Sequence, residues 1–144
     1  MKNNTKIAVI GSGTMGNGIA HVFSQANFDT LLVDINKNQL IKAMEVIEKN
    51  LERQIKKNII SIKDKGNILR NIKTSDNMDD CKEIDLVIEA IPEKYELKVS
   101  LFKKLDNICK SSTIFASNTS SISISNLGNQ TNRPDKMIGM HFMN

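Results

Sequence analysis

The chain has 144 residues, 40% apolar and 25% charged, with two prolines and no tryptophan, a composition that excludes a disordered or collagen-like protein and fits a single α/β or mixed domain. Its formal charge of +4 comes from 20 basic and 16 acidic residues scattered along the chain; such a surplus attracts a phosphate-bearing small molecule, but with 4% aromatic residues it argues against nucleic acid. No apolar run approaches the ~20 residues of a membrane span or the core of a signal peptide, and Cys81 and Cys109 match no metal or redox spacing, so a cytoplasmic chain without metal or membrane anchor, its two thiols reduced and packed inside, is expected.

The run from Lys6 to Ile10 is β-branched and nearly continuous. It meets three glycines, Gly11, Gly13 and Gly16, and then the amphipathic stretch Asn17 to Gln25, which reads as strand, tight turn and helix. A second short strand, Thr30 to Val33, ends at Asp34 about one βαβ unit later, so the two strands should pair in parallel. From Lys37 to Lys57, apolar residues at Leu40, Met44, Ile47, Leu51 and Ile55 recur at spacings of four and three, the signature of a long one-faced helix. Residues 61–71 read as a polar connection. Further strands are expected at Ile72 to Thr74, Leu86 to Ile88, Thr113 to Ala116 and Met137 to Met140, with a helix between whose inner stripe is Leu97, Leu101, Leu105 and Ile108. The alternation implies a doubly wound, mostly parallel Rossmann-type sheet covered on both faces. The final strand runs into His141 with no covering element after it, so residues 1–144 are expected to be one such domain, cut short at its C-terminal end.

Three glycines at these spacings are weak evidence alone, because ordinary turns, methyltransferases and flavoproteins share them. Their context strengthens them. The turn follows a strand and opens a helix, and Asp34 closes the next strand. Gly11 then serves the tight turn, Gly13 the approach of a pyrophosphate to backbone N–H groups, and Gly16 the close packing of helix on strand. The turn, comprising Gly11, Ser12, Gly13, Thr14, Met15 and Gly16, is the expected phosphate cradle at a helix N-terminus. Asp34 would accept the hydroxyls of an adenosine ribose and repel a 2′-phosphate, favouring NAD over NADP, although Lys37 stands near enough to receive such a phosphate. The plainer reading of Asp34 is a helix N-cap.

Four segments, AVIGSGTMGNGIA (residues 8–20), LVIEAIPE (86–93), FASNTSSISI (115–124) and RPDKMIGMHFMN (133–144), together resemble the 3-hydroxyacyl-CoA dehydrogenase family, bacterial 3-hydroxybutyryl-CoA dehydrogenases in particular. The resemblance implies NAD-linked interconversion of (S)-3-hydroxyacyl-CoA and 3-oxoacyl-CoA, in fatty-acid and butanoate metabolism, on a domain that in the family is followed by a helical one. It implies that His141 is the catalytic acid-base, a task imidazole suits near neutral pH, and that Ser120, 21 residues earlier, hydrogen-bonds the reacting oxygen between nicotinamide and substrate. By sequence chemistry alone Ser117 and Ser121 are equal candidates for a turn or cap in that block.

The same resemblance adds Ile91, Glu93, Lys98, Ser120 and Asn144 to the cofactor contacts and Asn50, Lys57 and Ser120 to those of coenzyme A. Without it, Glu93 reads as a first-turn carboxylate, Lys98 as a solvated helix cation, and Lys57 as a cation complementing its helix dipole. His21 has no such support and reads as a surface or packing residue. Complete members of the family are expected to be homo-oligomeric. The rival reading is a non-catalytic NAD-binding fragment of such an enzyme.

Overall fold

The computed structural model describes residues 3–143. Its elements run β1 (Asn3–Ile10), α1 (Thr14–Gln25), β2 (Phe28–Val33), α2 (Lys37–Lys56), α3 (Ile62–Arg70), β3 (Ile72–Ser75), β4 (Leu86–Glu89), α4 (Tyr95–Ile108), β5 (Ile114–Ser117), α5 (Ile124–Gly128) and β6 (Met137–Gly139), with short 3-10 turns before β4 and β6. The strands form one sheet in the order β3-β2-β1-β4-β5-β6, and every pairing is parallel. The expected doubly wound sheet is therefore present. Its order reverses between β1 and β4, the switch point where the loops at the strands' carboxyl ends diverge and open a crevice.

Alternation along the strands divides the core in two, as the period of two requires. Ile7 and Val9 of β1 join Leu32, Ile88 and Ala116 beneath α1, α2 and α3. Ala8 and Ile10 face the opposite way, with Val33, Val87 and Phe115, against Leu101, Phe102 and Leu105 of α4. Both cysteines lie in this second core, buried and free. Burial pushes Cys81 up to about 12 and Cys109 up to about 11, which leaves both thiols protonated and unreactive at neutral pH.

Three helices depart from the sequence reading, among them the five-residue α5, where no helix was expected. The polar stretch 61–71 contains α3, begun by a capping box in which the Ser61 hydroxyl accepts from Asp64 N (3.1 Å) and the Asp64 carboxylate accepts from Ser61 N (2.8 Å). Only Ile68 of this helix is buried, so it has almost no apolar stripe for periodicity to detect. In α4 the inner stripe is Lys98, Leu101, Phe102 and Leu105, while Leu97 is exposed. The helix is thus rotated so that a lysine faces the interior.

Arg133 fastens the approach to β6. Its guanidinium is buried, pairs with Asp106 (2.5 Å), donates to the Lys110 carbonyl (2.7 Å) and lies 4.7 Å above the Phe115 ring. A further bond to the Asp106 carbonyl (3.0 Å) ties the guanidinium to the last turn of α4, and the cation stacks on an aromatic face.

His21, on α1, is a packing residue: it is buried, and its Nε2 has no hydrogen-bond partner among the described residues. Burial pushes its pKa below the ordinary histidine value, while the Gln25 amide works in the opposite sense. The unfolded chain therefore takes up a proton here at a pH where the folded chain does not. The corresponding stability is intact above the ordinary histidine pKa and is lost as pH falls through it toward the folded value. The urea midpoint should consequently fall between about pH 7.5 and pH 5.5, and the fall should be shallower in His21→Gln. Parallel pH profiles for the two proteins would contradict this account.

Candidate functional site

The site begins where β1 ends. Gly11 takes a φ of +99°, and a Cβ there would stand 2.6 Å from the Ala90 carbonyl oxygen, so only glycine fits this turn without strain. A Cβ on Gly16 would collide with the Gly11 carbonyl, which lets α1 press directly on the turn. Gly13 has open space where its side chain would be. It is exposed beside Thr14, at the amino end of a 12-residue helix whose first cap has no side-chain acceptor. Unsatisfied N–H groups at such an end favour an anion.

Asp34 is drawn to this turn instead of capping α2. Its Oδ2 accepts from both Ser12 N and Ser12 Oγ (2.8 Å each), and its Oδ1 accepts from Asn36 N (2.9 Å). The cap of α2 is Asn36, whose side chain accepts from Asn38 N and Gln39 N. Ser12 is buried and holds Asp34 rather than facing the crevice. Lys37 pairs with Asp76 (3.2 Å) at the surface, an exposed pair worth at most about 1 kcal/mol.

Beyond the switch point, Met15, Ile91, Glu93, Lys98, Ser120 and His141 come together around one cavity of about 440 Å³, joined by Ala90, Asn118, Phe142 and Met143. Six residues expected from widely separated segments thus share a wall. The carboxyl ends of β4 and β5 deliver Ile91, Glu93 and Ser120, since Ala90 N continues the ladder to the Ile10 carbonyl and Asn118 N to the Glu89 carbonyl, while Met15 comes from α1, Lys98 from α4 and His141 from the end of β6. Of the three serine candidates only Ser120 faces this cavity. Ser117 is buried and donates to Glu89 (2.5 Å), and Ser121 donates to Glu93 (3.0 Å).

Lys98 is not a solvated cation. It is 1% exposed and lies 2.6 Å from Glu89 and 3.1 Å from Glu93. Glu89, fully buried, also accepts from Ser117 Oγ and from Ile91 N (2.7 Å). Glu93 gathers the next loop through Thr119 Oγ1 and Ser121 Oγ. Partial desolvation pushes the Glu93 carboxyl up, but hydrogen bonds from Thr119, Lys98 and Ser121 and the Lys98 charge outweigh it and hold the group below the ordinary glutamate value. Glu89 and Asn118 escaped the sequence reading. The available signal was a carboxylate closing the apolar run Leu86 to Ile88, with a lysine nine residues on at a core-facing helix position.

The remaining expected residues are placed differently. Asn50 and Lys57 are not at the cavity: Gln54 hydrogen-bonds Gln25, the last residue of α1 (2.9 Å), so this end of α2 lies a full helix length, about 18 Å at 1.5 Å per residue, from the glycine turn. Asn50 is in reach of Arg53 (3.4 Å), and Lys57 is the exposed C-cap. Asn144 lies outside the described residues.

Removing Glu89 alone leaves Lys98 buried against the half-exposed Glu93, so Glu89→Leu should destabilise the fold by about 3 kcal/mol or more in urea. Pairing it with Lys98→Met removes the orphaned charge, and the double variant should be more stable than Glu89→Leu. A double variant whose loss equals the sum of the two single losses would show that the ions are not coupled.

Comparison with known proteins agrees with this geometry. Residues 6–144 match the family model described as the NAD-binding domain of 3-hydroxyacyl-CoA dehydrogenase. The chain is 42% identical over 139 residues to a 3-hydroxybutyryl-CoA dehydrogenase of Clostridioides difficile, covering 96% of this chain and 50% of that protein. It is 45% identical over 139 residues to one of Bradyrhizobium diazoefficiens, covering 96% and 47%. The crystal structure of the (S)-3-hydroxybutyryl-CoA dehydrogenase of Ralstonia eutropha superposes with a TM-score of 0.94 at 43% identity, over 96% of this chain and 49% of that one. The chain spans about half the length of the curated relatives it matches, and it belongs to the 3-hydroxyacyl-CoA dehydrogenase NAD-binding domain family.

Proposed function

We propose that this chain is the cofactor-binding half of an oxidoreductase that interconverts short (S)-3-hydroxyacyl-CoA and 3-oxoacyl-CoA thioesters, 3-hydroxybutyryl-CoA and acetoacetyl-CoA in particular. The observation that carries the reading is the meeting of Ser120 and His141 at one cavity on the switch point, beside a glycine turn that holds a carboxylate at its far side.

The residues present fit NAD. The open Gly13 and the uncapped start of α1 suit a pyrophosphate, and Asp34, with two of its approaches held by Ser12 and Asn36, presents a fixed carboxylate for ribose hydroxyls. NAD, when bound, supplies the hydride acceptor. The chain's own work is acid-base and positional: in oxidation His141 takes the hydroxyl proton, in reduction it returns one, and Ser120 donates a hydrogen bond to the reacting oxygen. Ile91 and Met15 supply apolar walls that limit water. Glu93, Lys98 and Asn144 complete the cofactor contacts in this proposal. Lys98 acts there from within its ion pairs. The nucleotide end of a CoA thioester is assigned to Asn50 and Lys57, where an exposed ammonium meets a phosphate as a point charge.

The setting proposed is cytoplasmic fatty-acid and butanoate metabolism in a homo-oligomeric enzyme. No helix among the described residues is long and apolar enough to cross a membrane, and no cluster of three metal-ligating side chains occurs among them.

Asp34 should make the chain bind NADH at least about tenfold more tightly than NADPH, a difference of about 1.4 kcal/mol, and Asp34→Ala should abolish the preference. Nucleotide fluorescence titration reads this directly; equal affinities in the unmutated chain would remove Asp34 from the cofactor site.

Among the described residues no hydrogen bond or ion pair engages the exposed His141 ring, so no partner of the ring selects its tautomer. The 144-residue chain should therefore reduce acetoacetyl-CoA far below the tens per second typical of dehydrogenases. Fusion to the second half of the Clostridioides difficile relative should restore NADH-dependent turnover, and His141→Ala in the fusion should remove most of it. A fusion that binds NADH and acetoacetyl-CoA but turns over equally with His141→Ala would overturn the assignment of His141.

A further inference from the structure

The parallel ladder between β5 and β6 ends one residue before His141, where Met140 N donates to the Ser117 carbonyl (2.9 Å). The next backbone donor on that strand, Phe142 N, meets a side chain instead of a carbonyl: Asn118 Oδ1 accepts it at 2.7 Å. Asn118 is itself fixed, because its own N–H donates to the Glu89 carbonyl (2.9 Å), and its side chain stands on the wall of the cavity. The carboxamide thus adds one rung to the sheet beyond the last backbone rung, and the two rungs grip the chain on either side of His141. The Phe142 ring adds a third hold, edge-on to Phe23 of α1 at 6.0 Å.

Nothing among the described residues holds the His141 ring itself, so its direction depends on the backbone that carries it. We propose that Asn118 is a positioning residue for His141, extending the β5–β6 ladder through its side chain so that the imidazole is presented to the cavity beside Ser120. This deepens the proposed function and rests on it for the meaning of that position. One neutral hydrogen bond contributes little to global stability. Its leverage is geometric, because a displacement of about 1 Å at a reacting group can cost about a hundredfold in rate.

The test uses the 144-residue chain, NADH as the probe and NMR as the readout, with Asn118→Ala and Asn118→Asp. The aspartate keeps an acceptor oxygen where the asparagine has one, and alanine removes it. In the unmutated chain NADH should displace the His141 ring resonances. In Asn118→Ala, compared with the unmutated chain at saturating NADH, the Phe142 amide should exchange with solvent about tenfold faster, the equivalent of about 1.4 kcal/mol, and most of the NADH-induced displacement of the His141 ring should vanish. Asn118→Asp should restore both. A role in stability alone would lower the unfolding midpoint without separating Phe142 exchange from that of its neighbours, and would leave the His141 response to NADH intact.

Unchanged Phe142 exchange and an unchanged His141 response in Asn118→Ala would overturn the proposal. Should that variant not fold, Asn118→Ser, whose hydroxyl is too short to reach Phe142 N, is measured in its place by the same criteria. Failure of the unmutated chain to bind NADH, or to move His141 on binding, would instead sink the functional reading, while Phe142 exchange in the variants would still decide whether Asn118 holds the strand.

Discussion

Lys98 lies almost wholly out of water between two carboxylates, and the shape of the cavity depends on how that charge is compensated. An ion of this size loses several kcal/mol of hydration on burial even after the surroundings relax. Here the loss is offset by Glu89 at 2.6 Å, by Glu93 at 3.1 Å and by the Ile91 carbonyl at 3.4 Å. Each carboxylate in turn grips another segment. Glu89 holds Ser117 and the Ile91 amide, and Glu93 holds Thr119 and Ser121. One lysine on α4 therefore fixes the end of β5 and the loops that follow β4 and β5.

The arrangement has an electrostatic consequence as well as a mechanical one. Two carboxylates around one ammonium leave a local surplus of negative charge on one wall of the cavity, while the start of α1 offers the opposite sign across the crevice. A dinucleotide laid over the switch point would thus meet its favourable field at the phosphates and a differently charged wall near Ser120 and His141. The order of the sheet makes this polarity available, because the glycine turn after β1 and the loops after β4 and β5 lie side by side only where the strand order reverses.

Much of this was legible in the sequence. Strands and long amphipathic helices announce themselves by period, and a mostly parallel, doubly wound sheet follows from their alternation. Family resemblance singled out Ser120 and His141, and both line the cavity. The structure adds the reason that Ser120 faces the cavity: its neighbours Ser117 and Ser121 are bound to glutamates. Other features were hidden for identifiable physical reasons. Helix α3 buries one residue and is held by its capping box, whose pattern Ser61-x-x-Asp64 was visible but not its weight. The rotation of α4 hid the burial of Lys98, because periodicity assigns the inner stripe to leucines, and only a buried partner such as Glu89 allows a lysine to take that place. Asn118 acts on a residue 24 positions away through a single hydrogen bond, a relation with no local sequence signature.

Membership of the family rests on a match over almost the whole chain, and the superposition on the Ralstonia eutropha enzyme extends over the same length. In the proposed function the glycine turn and the cavity are parts of one cofactor-binding surface, and the central claim is that a dinucleotide lies across it from Gly13 to His141. A crystal of this chain soaked with NADH tests that most directly. The account predicts density for the pyrophosphate at the start of α1, the adenosine ribose on Asp34, and the nicotinamide among Ile91, Ser120 and His141. A nucleotide seated instead in the groove between α2 and β3, along Met44 and Asp76, would contradict it.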